Sequence, residues 1–400
     1  MTVTHSFLLT VGLLVSTFLS GCGGGGAAAS TAASGPIASA AANVQPIVVD
    51  LGPAASANVP FTTITICIPG TSTCQTIDHV LVDTGSSGLR IVSSVLASTI
   101  VLPQQVDVNG QPLAECAQFA DGFSWGPIKF ADVNISGEFA GSMPVQVIDN
   151  TFAVPSSCSS AGVAEQTVQD VGANGILGIG MFVYDCGDAC VSQALPGIYY
   201  VCPTTGCQPV AQALAAQVQN PVASFANDNN GTIIQLAPIP PGGTTNVQGA
   251  LIFGIGTQSN NAVGAATVIT VDPQTGEFVT QYNNHTFQSF VDSGSNALFF
   301  SDPLIPVCSS DPGFYCPAAP LNLTAILQGF NGVTATVNFN VISAANLFNN
   351  ATNAAFAELA GPSIGPESFD WGLPFFFGRN VYTAIEGRNT SNGPGPYFAF

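Results

Sequence analysis

Two short segments of the sequence place an aspartate in nearly the same setting. The first reads VLVDTGSSGL at Val80–Leu89 and the second reads SFVDSGSNAL at Ser289–Leu298, so both share V-D-[T/S]-G-S-x-x-L. A single D-T-G-S is a weak signal, because Asp and Gly are also common in ordinary turns. Two matched copies are a much stronger signal, and they predict that Asp83 and Asp292 act as a pair.

The residues that follow each aspartate suit a carboxylate held in one orientation. Gly85 and Gly294 let the backbone turn tightly and aim N–H groups at the oxygens, while neighbouring hydroxyls can fix their direction. If Asp83 and Asp292 lie a few ångströms apart, both cannot ionise together, and the pair shares one proton in acid. One carboxylate can then act as base to a water and the other as acid to a carbonyl oxygen. Peptide hydrolysis needs this pairing.

The elements that must position these aspartates also occur twice. The run DHVLVDT is almost continuously apolar, which is typical of a strand buried on both faces. Each copy is followed by two bulky apolar residues and a glycine, ILG at Ile176–Gly178 and FFG at Phe376–Gly378. The chain therefore reads as two versions of one unit, each contributing one aspartate.

Composition favours an all-β or β-rich protein. Of the 400 residues, 46% are apolar and only 7% are charged, and there are 43 Gly and 28 Pro. This mixture suits short strands joined by many turns better than long surface helices. The length favours two packed units of about 150–200 residues each.

These residues resemble the pepsin-like aspartic peptidases, from about Pro60 to the C-terminus. In the first half FTTITI resembles the family's hairpin, VDTGSSGLRIV its active-site loop, and NGILGIG at Asn174–Gly180 the strand behind that loop. In the second half GALIFGIG at Gly249–Gly256, VDSGSNAL and LPFFFGRNVY at Leu373–Tyr382 follow in the family's order.

The resemblance implies a β-rich fold of two lobes related by a pseudo-twofold axis, with a cleft between them. It implies that Asp83 and Asp292 are the catalytic pair and that Ser86 and Ser295 support them with hydroxyl groups. It also implies that two further residues grip across the two loops, namely Thr84 and Ser293. No cofactor is expected, and the substrate would be a peptide or protein.

The segment expected to close over the cleft departs from the family. The family's flap usually carries a tyrosine, but in QFADGFSWGPIKFADVNISG at Gln118–Gly137 that position is Phe119. The tryptophan that normally meets the tyrosine is replaced by Arg90. We expect the Arg90 guanidinium to stack on Phe119. In the same segment Asp121 is a candidate for binding a cationic substrate group and Trp125 for packing in the cleft, although turn and core roles suit them as well.

Arg379 follows the predicted strand FFFG, where an always-charged guanidinium would need a carboxylate or carbonyl partner. Asp370 and Glu386 are the candidate partners.

The eleven cysteines predict an oxidising compartment. Setting Cys22 aside leaves ten, which can pair completely. Three pairs flank short loops and two further pairs are weaker suggestions: Cys67–Cys74, Cys202–Cys207 and Cys308–Cys316, then Cys116–Cys158 and Cys186–Cys190. A zinc site is the alternative, but only two histidines lie beyond the signal region and no paired C-x-x-C elements occur, so no metal is expected.

The N-terminal segment predicts export. Residues 1–21 contain an apolar run from Phe7 to Leu19 that is too short for a permanent membrane helix, so they read as a signal peptide. LSGC resembles a bacterial lipobox, which makes Cys22 the expected lipidation site. Residues 22–43 are rich in Gly, Ala and Ser and are expected to form a flexible tether. The predicted lobes are 44–240 and 241–400, and the predicted location is the bacterial cell envelope, facing the periplasm or the cell surface.

The charge balance excludes some binding partners and favours work at low pH. Four Lys and Arg stand against 23 acidic residues, for a formal net charge of −19. Nucleic-acid binding needs a basic face, which this chain lacks. Membrane association is therefore expected only through the lipid, and we expect a monomer. With few cations, few native ion pairs are lost when carboxylates protonate, so work at low pH is favoured.

Two other functions remain open from the sequence. His79 and His285 precede the two aspartates, but no G-x-S-x-G elbow accompanies them, which disfavours a serine hydrolase. A pepsin-like lipoprotein that binds peptides or glycans without cleaving them is the stronger alternative, because Phe119 and Arg90 replace the usual flap contact.

Overall fold

The computed structural model describes residues 37–363, 365 and 367–400. The predicted signal peptide, the lipidation site Cys22 and most of the tether therefore lie outside the described residues. Residues 37–43 lie against the folded chain: the Ala38 N–H donates to Gln235 Oε1 (2.8 Å), and the buried Asn43 side chain donates to the Phe253 carbonyl (3.0 Å). Contacts of the folded domain thus include residues that we expected to belong to the tether.

The first half of the chain is built from strands that mostly pair with near neighbours. They are β1 (Val44–Val49), β2 (Pro60–Cys67), β3 (Cys74–Asp83), β4 (Ser87–Val92), β5 (Leu113–Gln118), β6 (Gly122–Ile135), β7 (Glu138–Ile148), β8 (Val163–Ala164), β9 (Gly175–Ile179), β10 (Tyr199–Val201) and β11 (Gln208–Pro209). Strands β2 and β3 form a hairpin, and β9 lies between β3 and β4, parallel to β3 and antiparallel to β4.

The second half begins with strands that join the two lobes and continues with a separate sheet. They are β12 (Gly231–Leu236), β13 (Val247–Phe253), β14 (Val268–Thr270), β15 (Phe278–Tyr282), β16 (His285–Val291), β17 (Leu298–Phe300), β18 (Leu321–Gln328), β19 (Thr334–Val341), β20 (Ala360–Gly361), β21 (Ser368–Trp371), β22 (Asn380–Ala384), β23 (Asn389–Thr390), β24 (Gly393–Pro394) and β25 (Tyr397–Ala399). Strand β21 lies between β16 and β17, parallel to β16 and antiparallel to β17, as β9 does between β3 and β4.

The two lobes share a central sheet. Strand β1 pairs with β2 of the first lobe and with β13 of the second, and the order continues through β12, β22, β25 and β14. The second lobe has its own seven-stranded sheet in the order β19-β18-β15-β16-β21-β17-β20. The β-rich, two-lobed architecture predicted from the sequence is confirmed.

Helices are few and short in the described part of the chain. The α-helices are α1 (Ser156–Ser159), α2 (Val168–Val171), α3 (Asp188–Ser192) and α4 (Ala344–Leu347), and the 3₁₀ turns are Ser93–Val95, Leu214–Ala216, Pro221–Ser224 and Leu373–Phe375. No helix among these residues is long and apolar enough to cross a membrane.

Disulfides and apolar packing stabilise the two lobes. The five predicted disulfides are confirmed: Cys67–Cys74, Cys116–Cys158, Cys186–Cys190, Cys202–Cys207 and Cys308–Cys316. The largest apolar cluster runs behind both V-D-[T/S]-G-S loops. In the second lobe it includes stacked aromatic rings, with Phe369 and Trp371 centroids 4.4 Å apart. Both loops therefore rest on tightly packed strands.

Candidate active site

The first aspartate lies at the buried C-terminal end of a strand whose first residues are partly exposed. Strand β3 ends at Asp83, which is paired with Gly178 of β9 and is almost entirely buried. The Gly85 N–H donates to Asp83 Oδ1 (2.8 Å), and the Ser86 hydroxyl donates to Oδ2. The turn thus supplies one donor to each carboxylate oxygen, as the sequence pattern predicts.

The second aspartate is held in the same way. The Gly294 N–H donates to Asp292 Oδ1 (2.7 Å), and the Ser295 hydroxyl donates to Oδ2 (2.9 Å). Asp292 follows directly after β16, and its own N–H donates to the Trp371 carbonyl (3.1 Å). The two loops are therefore matched contact for contact.

The two loops are joined by reciprocal hydrogen bonds of Thr84 and Ser293. The Thr84 N–H donates to Ser293 Oγ (3.1 Å), and the Ser293 N–H donates to Thr84 Oγ1 (2.9 Å). Each hydroxyl also donates across the interface, Ser293 Oγ to the Val82 carbonyl (2.7 Å) and Thr84 Oγ1 to the Val291 carbonyl (3.2 Å). Because both side chains are buried, these bonds fix the relative position of the loops.

Each carboxylate packs over the glycine of the opposite loop. A Cβ added to Gly85 would lie 2.5 Å from Asp292 Cγ, and one added to Gly294 would lie 2.6 Å from Asp83 Oδ1. No side chain fits at either position, so glycine is required by the close approach of the two aspartates. Gly85 is exposed and Asp292 is half-buried, which leaves the pair open to solvent on one side.

The proximity of the aspartates changes their protonation. Burial, followed by the charge of Asp83, raises the pKa of Asp292 to about 8, while hydrogen bonds from Ser295 and the Gly294 N–H act in the opposite direction. The pair therefore keeps one proton through acidic and neutral pH. A carboxylate and a carboxylic acid lie side by side, which is the arrangement general acid–base chemistry needs.

The glycine behind the second loop is not the one predicted from the sequence. We expected FFG at Phe376–Gly378 to match ILG at Ile176–Gly178, but Phe376–Gly378 follows the 3₁₀ turn Leu373–Phe375 and forms no strand behind Asp292. Strand β21 occupies that place and leads directly into Gly372, where an added Cβ would lie 2.1 Å from the Ala297 carbonyl. The prediction was wrong because the sequence offers two glycines after apolar residues, and only long-range strand pairing selects between them.

The flap-like segment forms a hairpin between β5 and β6. At its turn the Phe119 N–H donates to the Gly122 carbonyl (2.8 Å), Phe119 is half-buried and Asp121 is exposed. Asp121 lies next to Glu165. Burial, and then the charge of Asp121, raise the pKa of Glu165 to about 8. Two carboxyl groups therefore meet at the tip of the hairpin.

Arg90 lies at the base of the flap, in a buried cluster of charged and polar groups. Its Nη2 donates to Glu115 Oε1 of β5 (2.7 Å) and lies 3.7 Å from Asp185 Oδ2, while Nη1 donates to the Ser87 carbonyl (3.0 Å). The guanidinium carbon also lies 5.8 Å from the centroid of the Phe119 ring, within the range of a cation–π contact. The expected stacking partner is therefore present, but Arg90 is held chiefly by carboxylates.

The cluster depends on mutual compensation of charge. Burial acts to lower the pKa of Arg90, but the charges of Glu115 and Asp185 raise it above its ordinary value. Burial and then Glu115 raise the pKa of Asp185 well above its usual range, and the Tyr199 hydroxyl donates to Asp185 Oδ1 (2.5 Å). Sequence reasoning missed Glu115, Asp185 and Tyr199. The available signal was Arg90 itself, since a guanidinium in an apolar strand requires a carboxylate nearby.

Two predicted side chains have other roles. Trp125 is fully buried outside the cleft, where its Nε1 donates to the Phe152 carbonyl (2.9 Å) and its ring packs against Tyr200. The cleft role proposed for Trp125 is wrong, because the ring fills a small core around the Cys116–Cys158 disulfide. Arg379 donates to the Phe375 carbonyl (2.6 Å) and lies over the Phe375 ring, instead of pairing with Asp370 or Glu386.

The two described histidines contact other groups or solvent instead of the aspartate pair. His79 contacts Asp50 (3.5 Å) and Asp78 (3.1 Å), and His285 is an exposed residue at the start of β16. Within the described ranges, no group of three or more His, Cys, Asp or Glu side chains is arranged to hold a metal ion.

Comparison with known proteins identifies a similar fold and a protein family. The structure is similar to the crystal structure of an aspartic proteinase from Irpex lacteus, with a TM-score of 0.50 and 14% sequence identity over 90% of this chain and 97% of that one. No curated protein matches the sequence. The pepsin-like fold predicted from the sequence is thus confirmed. Residues 39–400 match the family described as "Protein of unknown function (DUF3443)", and because that match spans nearly the whole chain, the protein belongs to this family.

Proposed function

We propose that this protein is an aspartic endopeptidase that hydrolyses peptide bonds with a water molecule activated between Asp83 and Asp292. The observation that carries the proposal is the matched geometry of the two loops. Each loop holds one carboxylate with a backbone N–H and a serine hydroxyl. Loops kept only for structure would not need a carboxyl group in both halves, because an uncompensated buried carboxylate is destabilising.

The proposed reaction uses the single proton of the pair. Asp292, whose pKa is raised to about 8, carries the proton in the resting state, and Asp83 is the base. Asp83 takes a proton from the water as its oxygen attacks the carbonyl carbon, and Asp292 donates its proton to the carbonyl oxygen. The proton on Asp83 then goes to the leaving nitrogen as the C–N bond breaks. Asp292 takes back a proton from a hydroxyl group of the tetrahedral intermediate as the new carboxylic acid forms, and the pair returns to its starting state.

The proposed pH range follows from this proton. The reaction needs one protonated and one ionised carboxyl group, so activity is expected in acid and is expected to fall as the pH rises towards 8. The substrate class is an extended peptide or unfolded protein lying between the two loops and the β5–β6 hairpin.

The proposed location rests on the N-terminal sequence. A signal peptide at residues 1–21, lipidation at Cys22 and a Gly/Ala/Ser-rich tether would attach the domain to the bacterial cell envelope, as a monomer facing the periplasm or the cell surface.

The function is tested with the chain lacking residues 1–21 and carrying Cys22→Ser, incubated with an unfolded protein between pH 3 and 8. Cleavage, followed by mass spectrometry, is expected for this protein and is expected to be lost in both Asp83→Asn and Asp292→Asn. Asp302→Asn is the matched control, because Asp302 is a buried carboxyl group of the second lobe bound to Tyr282 instead of the pair.

Cleavage that persists in either aspartate variant would contradict the proposal. Binding of peptides without any cleavage would instead make the protein a peptide-binding module with a pepsin-like fold.

A further inference from the structure

The second lobe contains a pocket of about 240 Å³ that neither Asp83 nor Asp292 lines. Its walls are β19, the chain at Glu358, and the 3₁₀ turn Leu373–Phe375 with the residues that follow it as far as Arg379. The volume is below the roughly 300–1,000 Å³ of sites for drug-sized ligands. The occupant is therefore limited to a small molecule or to one or two residues of a peptide.

One wall of the pocket is the outer edge of β19. This strand is the last in its seven-stranded sheet, and β18 is its one strand partner among the described residues. Four consecutive residues, 337–340, line the pocket. One face of a strand would supply only alternate residues, so the pocket runs along the edge of β19 and contacts its backbone.

The register of the β18–β19 hairpin shows which backbone groups face the pocket. The Gly329 N–H donates to the Val333 carbonyl (2.9 Å), and the register continues without a shift along both strands. Because hydrogen-bonded and non-hydrogen-bonded positions alternate, the odd-numbered residues of β19 bond to β18. The N–H and C=O groups of Asn338 and Asn340 therefore point away from β18, towards the pocket.

The chain just beyond β19 shows that this edge can bind a second backbone. The Ile342 N–H, which is also even-numbered, donates to the Glu358 carbonyl (3.2 Å). The outer edge is thus covered at Ile342, whereas no other strand covers it at Asn338 and Asn340 in the described part of the chain. An exposed strand edge of this kind accepts an extended peptide by adding it as a further strand.

Two charged side chains line the same pocket. Glu358 is only 5% exposed, and its Oε2 has no hydrogen-bond partner among the described residues. The Arg379 guanidinium donates to the Phe375 carbonyl (2.6 Å) and lies 4.6 Å from the centroid of the Phe375 ring. Neither side chain belongs to an ion pair in the part of the chain that the structure describes. The pocket therefore offers an acceptor at Glu358 and further N–H donors at Arg379.

The charge of Arg379 favours an anionic occupant. Burial lowers the pKa of Arg379 to about 10, so at neutral pH the side chain is a largely desolvated cation. A carboxylate matches the planar fork of a guanidinium and forms charge-assisted hydrogen bonds with it. Bound carboxylate would supply the compensating charge that the described residues do not supply.

The rest of the lining is apolar. Buried aromatic side chains of Trp371, Phe375 and Phe377 line the pocket together with Leu298. Such a surface favours an apolar group on the occupant. One ligand combines a carboxylate, an adjacent apolar side chain and an extended backbone, namely the C-terminal end of a peptide.

We propose that this pocket binds the C-terminal residue of an extended peptide, whose carboxylate binds Arg379 and whose backbone adds to the edge of β19 at Asn338 and Asn340. The apolar side chain of that residue packs on Trp371, and a peptide N–H donates to Glu358 Oε2. The site is separate from the aspartate pair and does not rest on the proposed function.

The proposal is tested with the chain lacking residues 1–21 and carrying Cys22→Ser, at neutral pH. The probes are N-acetyl-alanyl-phenylalanine and its C-terminal amide, and the readout is ¹⁵N NMR of the tryptophan indoles. The chain has two tryptophans, and Trp125 lies in a separate core of the first lobe. The acid is expected to shift the Trp371 signal and not that of Trp125. The amide is expected to bind at least about tenfold more weakly, because it loses a hydrogen bond between charged groups.

Two variants locate the carboxylate and the peptide backbone. Arg379→Gln is expected to reduce the affinity for the acid to that for the amide. Arg388→Gln is its matched control, because Arg388 also donates to a backbone carbonyl but does not line the pocket. Asn338→Pro removes an outward N–H and is expected to weaken binding by about tenfold. Thr336→Pro is the control on the same edge, outside the pocket, and is expected to bind like the wild type.

The wild type alone can overturn the proposal. Equal affinities for the acid and the amide would exclude recognition of the carboxylate, and an unshifted Trp371 signal at about 10 mM acid would exclude the site. Equal losses in Asn338→Pro and Thr336→Pro would exclude addition to the strand edge at the pocket.

Binding in Asp83→Asn distinguishes this proposal from the proposed function. The acid is expected to shift Trp371 in that variant as in the wild type. Loss of the shift would place the probe between the aspartate loops and overturn the second site. A retained shift in a protein that cleaves no peptide would keep the site and remove only the proposed enzyme.

Discussion

At the scale of single residues, the site is defined by what lies within contact distance of each carboxylate. Gly85 and Gly294 let each aspartate approach the opposite loop, and Ser86 and Ser295 orient the oxygens. These roles could be predicted because donors and aspartate lie within a few residues of each other in sequence. Gly372 could not be identified in this way, since only the pairing of β21 with β16 brings it behind the second loop.

Gly85→Ala is expected to abolish most activity while leaving the fold intact. The added methyl group would overlap Asp292 Cγ, so the carboxylates have to move apart by about 1 Å, which typically lowers the rate by about a hundredfold. Peptide cleavage measures the loss. Gly365→Ala is the control, because among the described residues its added Cβ meets only Ser368 Cβ, at 4.0 Å. Unchanged activity in Gly85→Ala would mean that the aspartates do not work as a close pair.

At the scale of elements, the β5–β6 hairpin is joined by an ion pair to β4, the strand that follows the first V-D-[T/S]-G-S loop. Arg90 of β4 is bound to Glu115 of β5 by a buried ion pair, with Nη2 2.7 Å from Oε1. Sequence reasoning located Arg90 as the point of departure, but the partners are brought in from β5, β10 and the chain after β9. The order of the strands in the sheet decides which acid contacts a buried arginine, and that order cannot be read from a single sequence.

Arg90→Leu is expected to lower the free energy of unfolding by about 3–5 kcal/mol, because it leaves Glu115 buried without its cation. Urea denaturation measures the change. Arg388→Leu is the control, since Arg388 Nη2 donates to the Ala223 carbonyl and forms no ion pair among the described residues. If Arg90→Leu is as stable as that control and the hairpin exchanges its amides no faster, the cluster does not hold the hairpin.

The tip of the hairpin is expected to loosen in alkali. Burial and the Asp121 charge raise the pKa of Glu165 to about 8, so above that pH two carboxylates face each other and repel. Hydrogen exchange at residues 119–123, corrected for intrinsic rates, is expected to accelerate between pH 6 and 9. Asp121→Asn is expected to remove this acceleration. An equal acceleration in the variant would exclude repulsion between the two carboxyl groups as its cause.

At the scale of the whole molecule, the two-lobed β-rich fold and the five disulfides could be predicted, because composition, repeats and cysteine spacing report on them directly. The misassignment of Phe376–Gly378 has a different cause, because only the long-range pairing of β21 with β16 selects Gly372 as the glycine behind the second loop. The position of Trp125 depends on which side of β6 faces the cleft, and strand register decides that.

Stability is expected to fall as the pH rises from about 4.5 to 8, because buried acids keep protons that the unfolded chain releases near pH 4. Burial is the first cause of the raised pKa values of these acids: Glu165, Asp185, Asp292, Glu358 and Asp370. Below about pH 4 both states are protonated and these groups contribute nothing further. Urea denaturation at pH 4, 6 and 8 measures the trend, and a free energy of unfolding that increases with pH would contradict it.

Strand β1 also determines which contacts would bear a force applied to the N-terminus. Residues Val44–Val49 are hydrogen-bonded along their length to Val247–Ile252 of the second lobe, and their last two residues pair with Pro60 and Phe61 of the first. A force applied before residue 44 would therefore act along the hydrogen bonds between β1 and β13, where the two lobes meet, and not on one lobe alone. A load carried by the tether that we propose for residues 22–43 would therefore reach the sheet shared by the two lobes.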